Sequence, residues 1–77
     1  KDYAKAITYY QELLDQHSDG IFIDEALYFS AEIFNLFLNE PEKAKERYEK
    51  IVLNHPDSIY FPDSRLKYRT LRGDSNL

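Results

Sequence analysis

The apolar residues near the start of the chain recur at helical spacing. Ala6, Tyr10, Leu13 and Leu14 fall at positions i, i+4, i+7 and i+8. Side chains at this spacing share one face of an α-helix. The pattern therefore predicts an amphipathic helix over residues 1–17.

The same stripe returns 38 positions further along the chain. The residues that recur unchanged at this offset are Lys5 and Lys43, Ala6 and Ala44, Tyr10 and Tyr48, His17 and His55, Asp19 and Asp57, and Ile21 and Ile59. A constant offset across so many residues indicates an internal repeat. We therefore expect the second copy to form an amphipathic helix of its own. Its apolar stripe consists of Ala44, Tyr48, Ile51 and Val52.

The segment between the two copies, residues 25–38, has apolar residues around most of a helical circumference. Such a helix is buried on several sides. Ser30 and Ala31 are small enough to let a neighbouring backbone approach closely. The apolar residues expected to be buried in this way are Leu27, Phe29, Ala31, Ile33, Phe34, Leu36, Phe37 and Leu38.

Proline and glycine mark the predicted helix boundaries. Residues 39–41 end the middle helix and begin the next, because Pro41 in a first helical turn loses no hydrogen bond. Pro62 opens a short fourth helix, which we expect to run to about Arg72 and to end at Gly73. The residues of this helix predicted to face inward are Phe61, Ser64, Tyr68 and Leu71, and those predicted to face solvent are Arg65, Lys67, Arg69 and Arg72.

Composition and charge narrow the possible functions. A chain of 77 residues with 43% hydrophobic and 31% charged residues has the profile of one small folded domain. Cysteine is absent, which excludes disulfides and cysteine-containing zinc sites. No apolar run approaches the roughly 18 residues of a membrane span, and no signal-peptide pattern is present. Residues 1–63 hold 13 acidic and 6 basic side chains, so we expect no nucleic-acid partner.

Two segments, residues 2–14 and 42–52, resemble the second helix of a tetratricopeptide repeat. In that family a small residue is followed four positions later by an aromatic residue that packs against the first helix. The matching pairs here are Ala6 with Tyr10 and Ala44 with Tyr48.

Residues 26–34 resemble the first helix of the same family, and Pro56 matches the proline that closes a repeat. Ser30 departs from the family pattern, because it stands where leucine is usual. The resemblance implies an all-α fold of antiparallel helix-turn-helix units, about four helices of a right-handed α-solenoid. It also implies a non-catalytic scaffold that binds other proteins.

The resemblance implies a domain organisation as well. Residues 1–77 form a single domain, in which residues 1–20 are the second helix of a truncated repeat, residues 21–57 are a complete repeat, and residues 58–77 are a capping helix and tail. We therefore interpret the chain as the C-terminal end of a longer protein, and expect its open N-terminal side to self-associate. The connector at residues 55–64 resembles those of bacterial cell-envelope repeat proteins, which favours the periplasm over the cytoplasm.

A binding surface follows from the resemblance, because first helices line the concave groove of tetratricopeptide arrays. Glu25, Tyr28, Glu32 and Asn35 match groove-facing positions and form an acidic strip with one aromatic residue. Such a strip suits a basic or aromatic peptide. The expected function is thus capture of a protein or peptide partner at these residues. The alternative is a structural C-terminal cap or dimerisation element of a solenoid whose ligand site lies upstream.

Several other features have simpler interpretations. His17 and His55 lie at corresponding helix ends, where an imidazole interacts favourably with the helix dipole, so no metal site is expected. Neither a nucleophile nor a glycine-rich phosphate loop accompanies Glu25 and Glu32, so we expect no enzyme activity and no cofactor. The Arg-Gly-Asp-Ser sequence at residues 72–75 is explained by its glycine, which ends a helix. The many Tyr and Phe residues are expected mainly in packing.

Overall fold

A computed structural model describes residues 2–16 and 22–73 of the chain. It contains four helices, α1 (Tyr3–Gln16), α2 (Ile23–Leu36), α3 (Pro41–Asn54) and α4 (Phe61–Arg72). The all-α class and the number of helices predicted from the sequence are confirmed. The middle helix begins and ends two residues earlier than predicted, because the carbonyl of Phe22 already accepts a helical hydrogen bond from the Ala26 amide at 2.9 Å.

The helix ends have local causes. The Asp2 carboxylate caps α1 by accepting a hydrogen bond from the Lys5 amide at 2.9 Å. After α2 the chain turns at Asn39, which has a left-handed φ of 52°, and Pro41 begins α3 as predicted. Gly73 ends α4 with a φ of 97°, so this glycine has the predicted role. Asp74 and Ser75, the rest of the Arg-Gly-Asp-Ser sequence, lie outside the described residues, as does His17.

The core lies where α2 and α3 pack antiparallel. Phe34, near the end of α2, packs with Ala44 and Tyr48, whereas Leu27, near its beginning, packs with Ile51. All five side chains are buried, and the exposure of the three α3 residues is zero. The apolar stripe predicted for α3 therefore forms the centre of the core.

The stripe of α1 is less buried than that of α3, although the two are copies of one pattern. None of the residues of α1 is buried, and its stripe residues are only half-buried. The reason lies in their neighbours, because α3 packs between α2 and α4, whereas within the described residues α1 packs mainly on α2. Copies of the same sequence pattern thus occupy an interior and an edge position.

The prediction that α2 is buried on several sides is only partly right. Ile23, Leu27, Ala31 and Phe34 are buried, but Phe29, Leu36 and Phe37 are 36%, 59% and 54% exposed. Helix α1 packs on α2, with Phe37 stacked on the ring of Tyr3, but it leaves these apolar side chains partly at the surface.

Ser30 has a polar role in addition to its small size. Its hydroxyl donates a hydrogen bond to the carbonyl of Ala26 at 2.6 Å and accepts one from Nη1 of Arg47 at 3.0 Å. The Arg47 guanidinium also lies 5.4 Å from the ring centroid of Phe34 and donates a hydrogen bond to Gln11 of α1. A serine at this position therefore lets one arginine connect α1, α2 and α3.

Helix α4 presents most of its predicted inward residues to the core. Ser64 is fully buried, and Tyr68 and Leu71 pack against the cluster that contains Tyr48. The prediction that Lys67 faces solvent is wrong. Its side chain turns toward α2, where it pairs with Glu32, and it also pairs with Asp63 one turn earlier on α4.

Candidate partner-binding surface

Tyr28 connects α2 with the beginning of α4. Its hydroxyl donates a short hydrogen bond to the Asp63 carboxylate, and its ring stacks on that of Tyr60 with centroids 4.6 Å apart and an interplanar angle of 15°. The ammonium group of Lys67 lies 5.7 Å from the centroid of the Tyr28 ring. Tyr28 therefore has an intramolecular partner for its hydroxyl and for its ring.

Glu32 is the second link between the same helices. Its carboxylate accepts a hydrogen bond from Nζ of Lys67 at 2.5 Å and another from the hydroxyl of Tyr48. Lys67 also pairs with Asp63 at 3.2 Å, and the Asn35 side chain hydrogen-bonds Tyr48. We call this group of linked side chains the polar junction, and it consists of Tyr28, Glu32, Tyr48, Asp63 and Lys67.

Burial and hydrogen bonding set the protonation states of the polar junction. Burial, together with the hydrogen bond to Asp63, raises the pKa of Tyr28 to about 12, and burial with the bond to Glu32 raises that of Tyr48. The hydrogen bond from Tyr28 lowers the pKa of Asp63. Burial opposes the charge of Lys67, but its bonds to Glu32 and Asp63 raise its pKa overall. At neutral pH the junction thus combines neutral tyrosines with a charged Asp63 and Lys67.

Of the four residues predicted to bind a partner, Tyr28, Glu32 and Asn35 have partners within the chain. Glu25 lies nearer the start of α2, three, seven and ten residues before Tyr28, Glu32 and Asn35. Among the described residues, none forms a hydrogen bond or an ion pair with its carboxylate. The role of the four residues in binding stays a prediction, and the structure distinguishes Glu25 from the other three.

An aromatic surface lies next to Glu25, and it joins three parts of the chain. Phe29 of α2 lies 6.4 Å from the ring of Tyr10 on α1 and 5.6 Å from the ring of Tyr60, which directly precedes α4. Phe29 is more than a third exposed, and the other two rings are half-buried. We call Tyr10, Phe29 and Tyr60 the aromatic shelf.

Two carboxylates accompany the aromatic shelf. Partial burial and then the charge of Glu25 raise the pKa of Tyr10, and partial burial followed by the charges of Glu25 and Asp24 raises that of Tyr60. Glu25 is also one helical turn before Phe29. The shelf is therefore a region of negative potential, which disfavours a phenolate and favours a cation.

The sequence analysis did not single out the aromatic shelf. Phe29 was expected to be buried, and Tyr10 was assigned to an apolar stripe. The spacing of Glu25 and Phe29, four residues apart on one helix, was a usable signal. No comparable signal brings Tyr60 to these residues, since its position depends on the path of the connector between α3 and α4.

A groove between α1 and α3 contains two cavities of about 420 and 460 Å3. Both are bordered by Gln11, Glu46 and Arg47, so acidic, basic and neutral groups alternate along the groove. Within residues 2–16 and 22–73, no three side chains are grouped so that they could hold a metal ion. The lining of the groove is therefore mixed in charge and does not indicate one class of ligand.

These elements define a helical-repeat protein whose surface is suited to contacts with other proteins. The family model for the tetratricopeptide repeat matches residues 1–20 and 25–58, and the chain belongs to that family, a non-catalytic protein-interaction repeat. No curated protein and no solved structure gives a significant match. None of the described helices is long and apolar enough to cross a membrane.

Proposed function

We propose that this chain captures a protein or peptide partner on the side of α2 that α3 leaves uncovered. The observation that carries the proposal is that Glu25 has no partner among the described residues while the neighbouring Phe29 is exposed. Exposed aromatic side chains with adjacent unpaired charges are typical of binding surfaces. Membership of an interaction-repeat family supports the same function.

The expected partner is basic or aromatic. The acidic excess over residues 1–63 steers a basic segment toward the chain, and exposed rings provide apolar contact area for either kind of side chain. In this proposal Glu25 contacts the partner. Tyr28, Glu32 and Asn35 contribute to binding through the parts of their side chains that remain exposed, and by holding α4 against α2.

Crosslinked capture with the intact chain tests this function. Partners are identified by mass spectrometry with the wild type, with Glu25→Lys and with Glu42→Lys, a matched charge reversal on the exposed surface of α3. We expect Glu25→Lys to lose the enriched partner and Glu42→Lys to retain it. If both variants retained the partner, the α2 surface would not be the binding site.

The double variant Tyr28→Ala/Glu32→Lys is a poor probe of binding alone. It removes the stacked ring of Tyr28 and places a second lysine beside Lys67 in the polar junction. We expect it to lose partner capture together with part of its helical circular dichroism. A variant that lost capture at full helicity would instead make Tyr28 and Glu32 direct contacts.

A second candidate function is a structural cap or dimerisation element, and the half-buried stripe of α1 favours it. In addition, Tyr9 is 58% exposed on the same helix. Apolar side chains left open at the end of a repeat stack associate with a further repeat or with a second copy. We therefore propose self-association of the chain through α1.

Sedimentation equilibrium tests the self-association. We expect the apparent mass to rise with concentration and Tyr9→Glu to lower the association, while Leu53→Glu on α3 has no effect. A monomer at every concentration would contradict self-association. Partner capture that survives all α2 variants would leave the structural cap as the function.

A further inference from the structure

The aromatic rings of this chain differ in whether a cation accompanies them. Over three rings, those of Phe34, Tyr28 and Tyr68, lie lysine or arginine side chains from the chain itself. These pairs are Lys43 with Phe34 at 5.6 Å, Arg47 with Phe34 at 5.4 Å, Lys67 with Tyr28 at 5.7 Å and Arg72 with Tyr68 at 4.9 Å. Cations over rings are thus a recurrent way of covering aromatic surface in this molecule.

In the part of the chain that the structure describes, the rings of the aromatic shelf are among those that have no such cation. Among the described residues, no lysine or arginine lies over Tyr10, Phe29 or Tyr60, although the shelf has carboxylates beside it. In the polar junction the corresponding carboxylates of Glu32 and Asp63 are both paired with Lys67. The shelf has the rings and the negative charges of such a site but lacks the positive charge.

The geometry suits an arginine better than a lysine. The rings of Phe29 and Tyr10 are close to parallel, with an interplanar angle of 24°, and together offer extended ring faces. A guanidinium is planar and weakly hydrated, so it stacks on such faces while its N–H groups point outward to carboxylates. Glu25, one turn from Phe29, lies within reach of a group stacked there.

An aromatic side chain of a partner would use only part of this site. It would stack on the rings but would leave the carboxylate of Glu25 without a positive partner. An arginine satisfies both parts, and the acidic excess of the chain favours its approach.

We propose that the aromatic shelf holds an arginine side chain of the partner protein, with the guanidinium stacked on Phe29 and its charge paired with Glu25. This inference rests on the proposed function, since it assumes that the chain binds a partner on this side of α2. It adds the chemical identity of the group recognised and moves the contact from Tyr28 and Glu32 to the shelf.

Selection of random dodecapeptides on the immobilised 77-residue chain tests the inference. We expect recovered peptides to be enriched in arginine. Replacing that arginine by citrulline, which keeps the planar shape and removes the charge, should weaken binding about tenfold. Replacing it by lysine should cause a smaller loss, because the charge remains and the planar stack does not.

Matched variants locate the site. We expect Phe29→Ala to weaken the selected peptide about tenfold and Glu25→Gln severalfold. Leu53→Ala and Glu42→Gln, which alter exposed residues of α3, should leave affinity unchanged. Phe29→Leu keeps apolar volume without an aromatic face, so its loss of affinity separates stacking from any effect on folding, and circular dichroism checks each variant.

The outcomes separate this inference from the proposed function. Peptides that bind without arginine, or whose affinity is the same with citrulline or with Phe29→Leu and Glu25→Gln, overturn the arginine site and leave peptide capture intact. Failure of the wild-type chain to select any peptide contradicts both. Arginine-dependent binding that is lost in the shelf variants supports both.

Discussion

The polar junction and the aromatic shelf contain similar chemical groups but differ in whether a positive charge of the chain accompanies them. Each combines aromatic rings with at least one carboxylate of α2, and the junction extends to α3 and α4, whereas the shelf extends to α1 and to Tyr60, which precedes α4. In the junction, Lys67 supplies the positive charge and the hydroxyls of Tyr28 and Tyr48 are bonded to carboxylates. At the shelf, Glu25 has no such partner among the described residues.

The difference shows how side chains of one helix, α2, can serve both stability and recognition. Buried or half-buried charges are stabilising when paired and costly when left alone, so the junction contributes to holding α4 on α2. Accessible charges without a partner cost little in water and remain available to another molecule. We therefore propose that the junction serves mainly stability and the shelf mainly recognition.

The largest expected effect contrasts Tyr48 with Tyr10, which are equivalent residues of the repeat. Tyr48→Ala removes a fully buried ring and should lower the free energy of unfolding by about 3–5 kcal/mol. Tyr10→Ala removes a half-buried ring at the shelf, and we expect a loss of about 1–2 kcal/mol. Urea denaturation followed by circular dichroism measures both. Equal losses would contradict the distinction between the two regions.

A smaller effect is expected from breaking the ion pairs of the junction. Lys67→Met leaves the 19% exposed carboxylate of Glu32 without its cation and should cost about 2 kcal/mol. The matched variant Lys45→Met breaks a pair whose Glu42 is 83% exposed, and should cost below about 0.5 kcal/mol. If the two variants were equally stable, the junction would have no special role in stability.

Replacing Ser64 should change the free energy of unfolding in the opposite direction to the preceding variants. Its hydroxyl is buried and, among the described residues, has no hydrogen-bond partner, and the equivalent residue one repeat earlier is Ala26. Ser64→Ala should therefore raise the free energy of unfolding by about 1 kcal/mol. Ser30→Ala is the control, because its hydroxyl is bonded to Arg47, and it should lower that free energy. Both are read from thermal or urea unfolding.

The smallest expected effect is the pH dependence contributed by Asp63. Because its pKa is lowered in the folded state, its contribution is present above the unfolded value of about 3.9 and is lost as pH falls through the folded value. The side chain is partly exposed, so we expect below about 1 kcal/mol. Asp63→Asn should flatten the stability curve in this acid window. An unchanged curve would mean that Asp63 does not couple to folding.

Periodicity alone was sufficient for much of the fold. The stripe of Ala44, Tyr48 and Ile51 was identified correctly because it follows from the spacing of apolar residues within one helix. The ends at Pro41 and Gly73 were also predicted, since they follow from the backbone geometry of single residues.

The contacts between helices could not be read from the sequence in the same way. Lys67 was assigned to solvent because lysine at a helix edge is usually solvated, and its turn toward Glu32 depends on how α4 is rotated against α2. The burial of Phe29 was overestimated for a related reason, since periodicity reports which residues share a face and not how many helices cover it.

The absence of buried side chains in α1 has a consequence for the order in which the molecule opens. A helix held at its edge unfolds locally at a lower free energy than the core, so the amide protons of α1 should exchange before those of α3. Tyr10 of α1 also forms one wall of the aromatic shelf. A ligand bound at the proposed site on the shelf should therefore slow the exchange of α1, and this would couple binding at α2 thermodynamically to the folding of the first helix.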